Sequence, residues 1–300
     1  MKILLFGKDG QVGWELQRSL APLGALVALN RDDKDCCGDL TDPHGIARSV
    51  QTIAPDVIVN AAAYTAVDDA ESEADLADNI NVVAPEILAR EAQKLGALLV
   101  HYSTDYVFNG GGSSPWRETN VPEPLNVYGA SKLKGEQAIQ QSDCRHMIFR
   151  TSWVYAARRP NFAKTILRLA AERDELSVIN DQIGAPTGAE LIADVTAHAV
   201  VTARQQPQVF GLYHLVAAGE TSWYGYARYV VEIARHAGMD VKVAAEAIRP
   251  VRSDAFQQLA RRPKNSRLDT SKFRATFSLH LPDWQSGVQR MINEILAARS

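Results

Sequence analysis

Cysteine is scarce: Cys36, Cys37 and Cys144 are three in 300 residues. The number is odd and two are adjacent, where side chains cannot close an ordinary disulfide or share a metal in good geometry. A disulfide-stapled fold is excluded, and a reducing compartment, the cytoplasm, is expected. Long apolar runs are missing as well. None approaches the ~18 residues of a membrane helix, and the run Ile3–Phe6 stops at Gly7, followed by Lys8 and Asp9, too short for a secretory signal. No basic block exceeds a pair (Arg158-Arg159, Arg261-Arg262) and the net charge is −3. Neither a nucleic-acid backbone nor a membrane surface is therefore an expected partner.

What the chain does have is a 46% hydrophobic, 22% charged composition of ordinary globular kind. Its first half alternates short apolar runs (Ile3–Phe6, Leu26–Leu29, Val57–Val59, Leu98–His101, Met147–Phe149) with helical patterns such as Val12–Leu20 and Val83–Lys94. Continuous apolar strands between helices predict α/β architecture: a Rossmann-type doubly wound parallel sheet built from βαβ units. The second half is less regular. One long helix is expected near Phe162–Arg173, strands at Leu176–Ile179 and Leu212–Val216, and loops at Gly184–Thr187 and from Ile248 to Leu268. This predicts a dinucleotide-binding domain over 1–150 and a smaller interleaved α/β substrate domain over 151–300, with segments crossing back into the first.

Three groups of residues carry chemistry. Gly7, Gly10 and Gly13 follow the first strand and open the first helix, where glycine lets the backbone approach a pyrophosphate at a helix N-terminus. The other reading is a tight strand–helix turn. Tyr128 and Lys132 are four apart on one helix face; an ammonium there lowers a phenol's pKa and makes the pair a general acid, unless it is only a surface contact. Thr104 and Asp105 end the fourth strand, on the edge where open α/β sheets bind ligands, or else simply cap it. Cofactor choice is legible too. Twenty residues after Gly10, where NAD-preferring folds place an acid, stand Asn30 and Arg31. A guanidinium there favours a 2′-phosphate, so NADPH is expected ahead of NADH, with Asp32 and Asp33 either blunting the field or belonging to a turn.

These motifs, with Asn60–Ala63, Thr65–Asp68, Arg150–Tyr155, Gly184–Glu190 and Gly211–Leu215, resemble the dTDP-4-dehydrorhamnose reductase family of the extended short-chain dehydrogenases/reductases nearly end to end. The resemblance implies NAD(P)H-dependent reduction of the C4 keto group of dTDP-4-dehydro-β-L-rhamnose. By it, Tyr128 donates the proton, Lys132 tunes the phenol and holds the nicotinamide ribose, and Thr104 bonds the substrate oxygen. Gly10, Gln11 and Val12 meet the pyrophosphate, Asp39 and Leu40 the adenine, and Ala63, Tyr64 and Thr65 the nicotinamide half. Val67, Asp105 and Trp153 line the sugar pocket, although a tryptophan in an apolar strand is also a natural core residue.

The resemblance leaves a homodimer open, and it points to magnesium on Glu15 and Glu190, which otherwise read as solvated acids. A third acid is missing: position 292 is Ile, with Glu294 nearest. A sugar-nucleotide dehydratase or epimerase of the same superfamily is the rival reading; dehydratases resemble Thr-Asp-Glu after the fourth strand, whereas Tyr106 follows Asp105 here. A regulatory subunit that only binds cofactor need not keep Thr104, Tyr128 and Lys132.

Overall fold

A computed structural model describes residues 1–297; residues 298–300, part of the expected second domain, lie outside the described residues. Five strands alternate with helices through residue 151: β1 (Lys2–Phe6), β2 (Ala25–Leu29), β3 (Val57–Asn60), β4 (Leu98–Thr104) and β5 (Arg145–Thr151). Between them run α1 (Gln11–Leu20), α2 (Pro43–Ile53), the short α3 (Ala74–Asp78), α4 (Ala84–Leu95) and α5 (Val127–Gln141). The main sheet is parallel throughout in the order β2-β1-β3-β4-β5, completed by a strand at Gly211–His214 that pairs with β5.

The strand period of two explains why β1 is apolar at consecutive positions. Ile3 and Leu5 join Leu16, Leu20, Ala193 and Val200 on one face. Leu4 and Phe6 join Ile46, Val50, Leu88 and Ile139 on the other. Each such side chain, fully buried, contributes about 1.5–3 kcal/mol.

The second half holds more helix than the single segment expected. Besides α6 (Phe162–Glu172), the described residues form α7 (Ala189–Gln205), α8 (Trp223–His236), α9 (Ser271–Phe277) and α10 (Trp284–Ala297). Alanines and small residues let α7 bury most of its circumference, against α1 among others, so its pattern lacks a clear polar face. Helix α8 begins where the Ser222 side chain accepts from the Gly225 N–H. A second core joins Ile166, Leu176, Tyr226, Val230, Ile248, Val288 and Ile292.

Ile248–Val251, expected as loop, instead forms a parallel two-stranded ladder with Leu176–Ile179. Pro250 is tolerated because a two-stranded sheet has only edges. The strand predicted at Leu212–Val216 ends at His214, and β4 runs on to Thr104. Short pairs flank the Gly184–Thr187 loop. No helix among the described residues is long and apolar enough to cross a membrane.

One buried ion pair locks α5 to the sheet. Arg150 of β5 donates through Nε and Nη2 to both oxygens of Glu136, at 2.9 and 2.6 Å, and both residues are almost wholly buried. Glu136→Ala should destabilise the protein by about 3–5 kcal/mol, because it strands a guanidinium. Denaturant unfolding of the single variant and of Glu136→Ala/Arg150→Met checks this: the double variant should recover a large part of the loss. An equal loss in both would show that the stranded charge is not its cause.

Candidate active site

The carboxyl ends of β1, β3, β4 and β5 open onto one crevice. At the end of β1 the chain turns through Gly7, whose φ is +85°, and a Cβ there would stand 2.8 Å from the Ala62 nitrogen. A Cβ on Gly13 would collide with the Gly7 carbonyl oxygen. Those two glycines are demanded by the protein's own packing. Gly10 is different: it starts α1 with no side-chain cap and no acid in the first turn, leaving backbone N–H groups and a positive helix end for an anion.

A cleft of about 350 Å³ spreads from this point. Gly7, Gly10, Asn30, Arg31, Asp39, Leu40 and Ala63 line it together, so half of the expected cofactor residues share one cleft. An uncapped helix end, a glycine turn and an arginine at the rim fit a dinucleotide phosphate. Gln11 begins α1 and is bonded by Asn161 at 3.2 Å, while Val12 is half-buried on the same helix.

The region around Asn30 is more occupied than the sequence suggests. Its side chain donates to Asp9 and accepts from the Asp32 N–H, at 2.7 and 3.0 Å. Asp33 is drawn to Lys8 at 2.7 Å. The exposed Arg31 guanidinium meets Asp39 at 3.4 Å, so Asp39, rather than Asp32 or Asp33, is the carboxylate that shares its charge. Sequence reasoning missed Arg159, which enters the cleft from the second half and donates to the Asp9 carbonyl at 2.8 Å.

Across the crevice, Asn126 caps α5 by accepting from the Gly129 N–H at 2.7 Å, and this sets Tyr128 in the first helical turn with Lys132 one turn on. The Tyr128 ring meets Tyr106 edge-on at 5.7 Å. Burial pushes the phenol up to about 12, while a hydrogen bond with Thr104 pulls it down and the Asp105 charge adds to the rise. Lys132 is buried and is not turned to the phenol: its Nζ lies 3.0 Å from His101 Nε2. Burial draws the lysine down to about 8, against the pull of Glu136.

A π-helical turn at Asn79–Val83, invisible to periodicity, aims Asn81 at the site. It accepts from the Tyr64 N–H at 3.0 Å and donates to Ser131 and to the Tyr64 carbonyl at the same distance. The Tyr64 hydroxyl itself points away, to Glu73 at 2.6 Å. Thr65 is exposed and Val67 half-buried, beside Asp68, which Arg262 grips with two bonds of 3.1 and 2.6 Å.

Trp153 is half-buried rather than a core residue. Its φ of +49° lies in the left-handed region that bulky residues avoid, and its indole stacks on Trp223 at 3.7 Å. Trp223, which no motif flagged, also donates to Gln182 at 3.1 Å.

The acids expected to hold magnesium are engaged in ion pairs. Glu190 pairs with Arg290 at 3.0 Å and Glu15 lies 3.6 Å from Arg18, which also takes Asp194 at 2.8 Å. Ile292 is fully buried in the second core. Among the described residues no cluster of three His, Cys, Asp or Glu could bind a metal ion. Guanidinium groups occupy the carboxylates that an ion would need.

Residues 1–297 match the family model described as the RmlD substrate binding domain. The chain is 59% identical over 295 residues to a dTDP-4-dehydrorhamnose reductase of Shigella flexneri, covering 98% of each. A solved dTDP-4-dehydrorhamnose reductase from Clostridium acetobutylicum superposes with a TM-score of 0.87 at 32% identity, covering 99% of this chain and all of that one. One from Bacillus anthracis in complex with NADP does so with a TM-score of 0.85 at 35% identity, covering 98% and 99%.

Asp105 is 2% exposed, and its Oδ2 has no partner among the described residues. Burial raises its carboxyl from 3.8 to about 7, opposed by hydrogen bonds that include one from Thr104. The folded chain therefore keeps a proton that the unfolded chain releases between those values, and this group erodes stability as pH rises through that window. Asp105→Asn should melt above wild type at about pH 8, with the gain gone near pH 4. A melting-temperature series across that range checks it; a pH-independent difference would rule the account out.

Proposed function

Because the chain belongs to the dTDP-4-dehydrorhamnose reductase family, we propose a division of labour by which its crevice performs that family's reaction. The protein is an NAD(P)H-dependent oxidoreductase that reduces the C4 keto group of dTDP-4-dehydro-β-L-rhamnose to dTDP-β-L-rhamnose, the last step of dTDP-rhamnose synthesis. The observation that carries the assignment of roles is the meeting of Tyr128 with Thr104 at the end of β4, across from the uncapped N-terminus of α1.

In this reading residues 1–150 carry the cofactor and the remainder mainly the sugar nucleotide. Gly10, Gln11 and Val12 hold the pyrophosphate on the turn that Gly7 and Gly13 allow, Asp39 and Leu40 the adenine, and Ala63, Tyr64 and Thr65 the nicotinamide half. The bound nicotinamide supplies a hydride. Thr104 holds the substrate oxygen by a hydrogen bond. Tyr128, protonated at neutral pH and pushed further up by its burial, delivers its phenolic proton to the alkoxide. Lys132, its amine held by His101, holds the ribose. Val67, Asp105 and Trp153 line the sugar pocket. The three cysteines are free thiols, suited to a reducing cytoplasm. Loss of NADPH absorbance in the presence of the 4-keto-6-deoxy sugar nucleotide tests the whole; no loss at high enzyme concentration would leave only cofactor binding.

Tyr128→Phe keeps the ring and removes the proton. It should lower kcat by ~10²–10⁴-fold with little change in NADPH binding; turnover within a few-fold of wild type would take Tyr128 out of the reaction. Arg31 gives the preference for NADPH over NADH. Because its guanidinium is exposed and shared with Asp39, the contact sits at the lower end of charge-assisted bonds. Arg31→Ala should raise KM for NADPH roughly tenfold and leave NADH nearly untouched. Equal effects on both cofactors, or a wild-type preference for NADH, would defeat this.

A further inference from the structure

Behind the cleft, Lys132 is the end of a buried chain of hydrogen bonds. His101 of β4 lies between Lys132 and Asn60: its Nε2 is 3.0 Å from Lys132 Nζ, and its Nδ1 is 3.2 Å from Asn60 Nδ2. The Asn60 amide oxygen accepts from the Ala62 N–H at 3.2 Å, and Ala62 lines the cofactor cleft. Lys132, His101 and Asn60 are each 1% exposed, so these groups must satisfy one another.

A neutral imidazole donates at one nitrogen and accepts at the other. His101 stays neutral, because burial and the facing lysine hold it well below its usual range. A charged Lys132 donates to Nε2 and obliges the ring to donate from Nδ1, which Asn60 can accept only by turning its amide oxygen to the ring and away from the Ala62 N–H. A neutral Lys132 accepts from Nε2–H and leaves Nδ1 to accept from Asn60. Charge at the lysine is thereby tied to the hydrogen bonding of the turn after β3. Lys132 is also faced by Glu136 further along α5, itself held by Arg150 of β5. Tyr128, Thr104 and Asp105 stand at the cleft end, and the π-helical turn contributes the neutral Asn81 through Ser131.

We propose that His101, anchored by Asn60, is a positioning residue for the reduction: it fixes the Lys132 amine and links its protonation to the wall of the cofactor cleft. The proposal rests on the role given to Lys132 above.

The test measures kcat and KM for NADPH against pH in the wild type, His101→Leu, His101→Gln and Lys132→Met, each checked for folding by its melting curve. His101→Leu removes the acceptor that favours the charged lysine. It should lower kcat and move its alkaline fall-off down by about one pH unit or more. Glutamine, which both donates and accepts, should restore most of both. A folded leucine variant with the wild-type pH profile and kcat overturns the proposal. If leucine does not fold, glutamine is compared with His101→Asn, which is too short to reach Lys132; identical profiles in those two overturn it equally. Undiminished turnover in Lys132→Met would instead sink the role of the lysine itself, a separate outcome.

Discussion

The buried bond between Arg150 and Glu136 is the constraint on which the rest of the site depends. It ties the middle of α5 to β5, with both groups removed from water. A buried pair of this kind adds little net stability but makes other placements of the helix expensive. With Glu136 fixed, the preceding turn brings Lys132 against His101, and the turn before that brings Tyr128 over the end of β4. The cap at Asn126 and the clamp of Asn81 on Ser131 hold the same helix from its other sides.

The crevice combines groups whose ionisation is shifted in different directions by one cause. Burial raises the Tyr128 phenol and the Asp105 carboxyl and lowers Lys132. Each shift favours the uncharged form, so the site has less fixed charge than its sequence suggests. Such a setting suits a reaction that passes a proton to an oxygen without bulk water. The strained backbone at Trp153 belongs to the same region, kept in place by the stack on Trp223 and by the close approach of Gly184.

The acidic residues on α1 and α7, Glu15 and Glu190, stand beside arginines. A buried Ile292 belongs to the core under α10, and the neighbouring Arg290 reaches Glu190 instead. Arg290 and Arg18 offset part of the charge here, while burial, Glu15 and Glu294 push the Glu190 carboxyl up.

The alternation of apolar runs and helices in residues 1–151 was enough to determine the parallel sheet, because strands covered on both faces leave an unbroken apolar signature. The glycine turn, Thr104, Tyr128 and Lys132 were legible for a similar reason: each is a local motif whose spacing is set by a single turn of chain. Beyond α6, the elements of the second half were not, since α7 is buried on most sides and Pro250 disguises an edge strand. The partners of the site were hidden more deeply. His101 is 31 residues from Lys132, Asn81 is 50 from Ser131, and Arg159 is 150 from Asp9. Sequence by itself determined which groups could do the chemistry. Only the tertiary structure decided which neighbours each would have, because hydrogen bonds and ion pairs over such separations exist only once the chain has closed on itself.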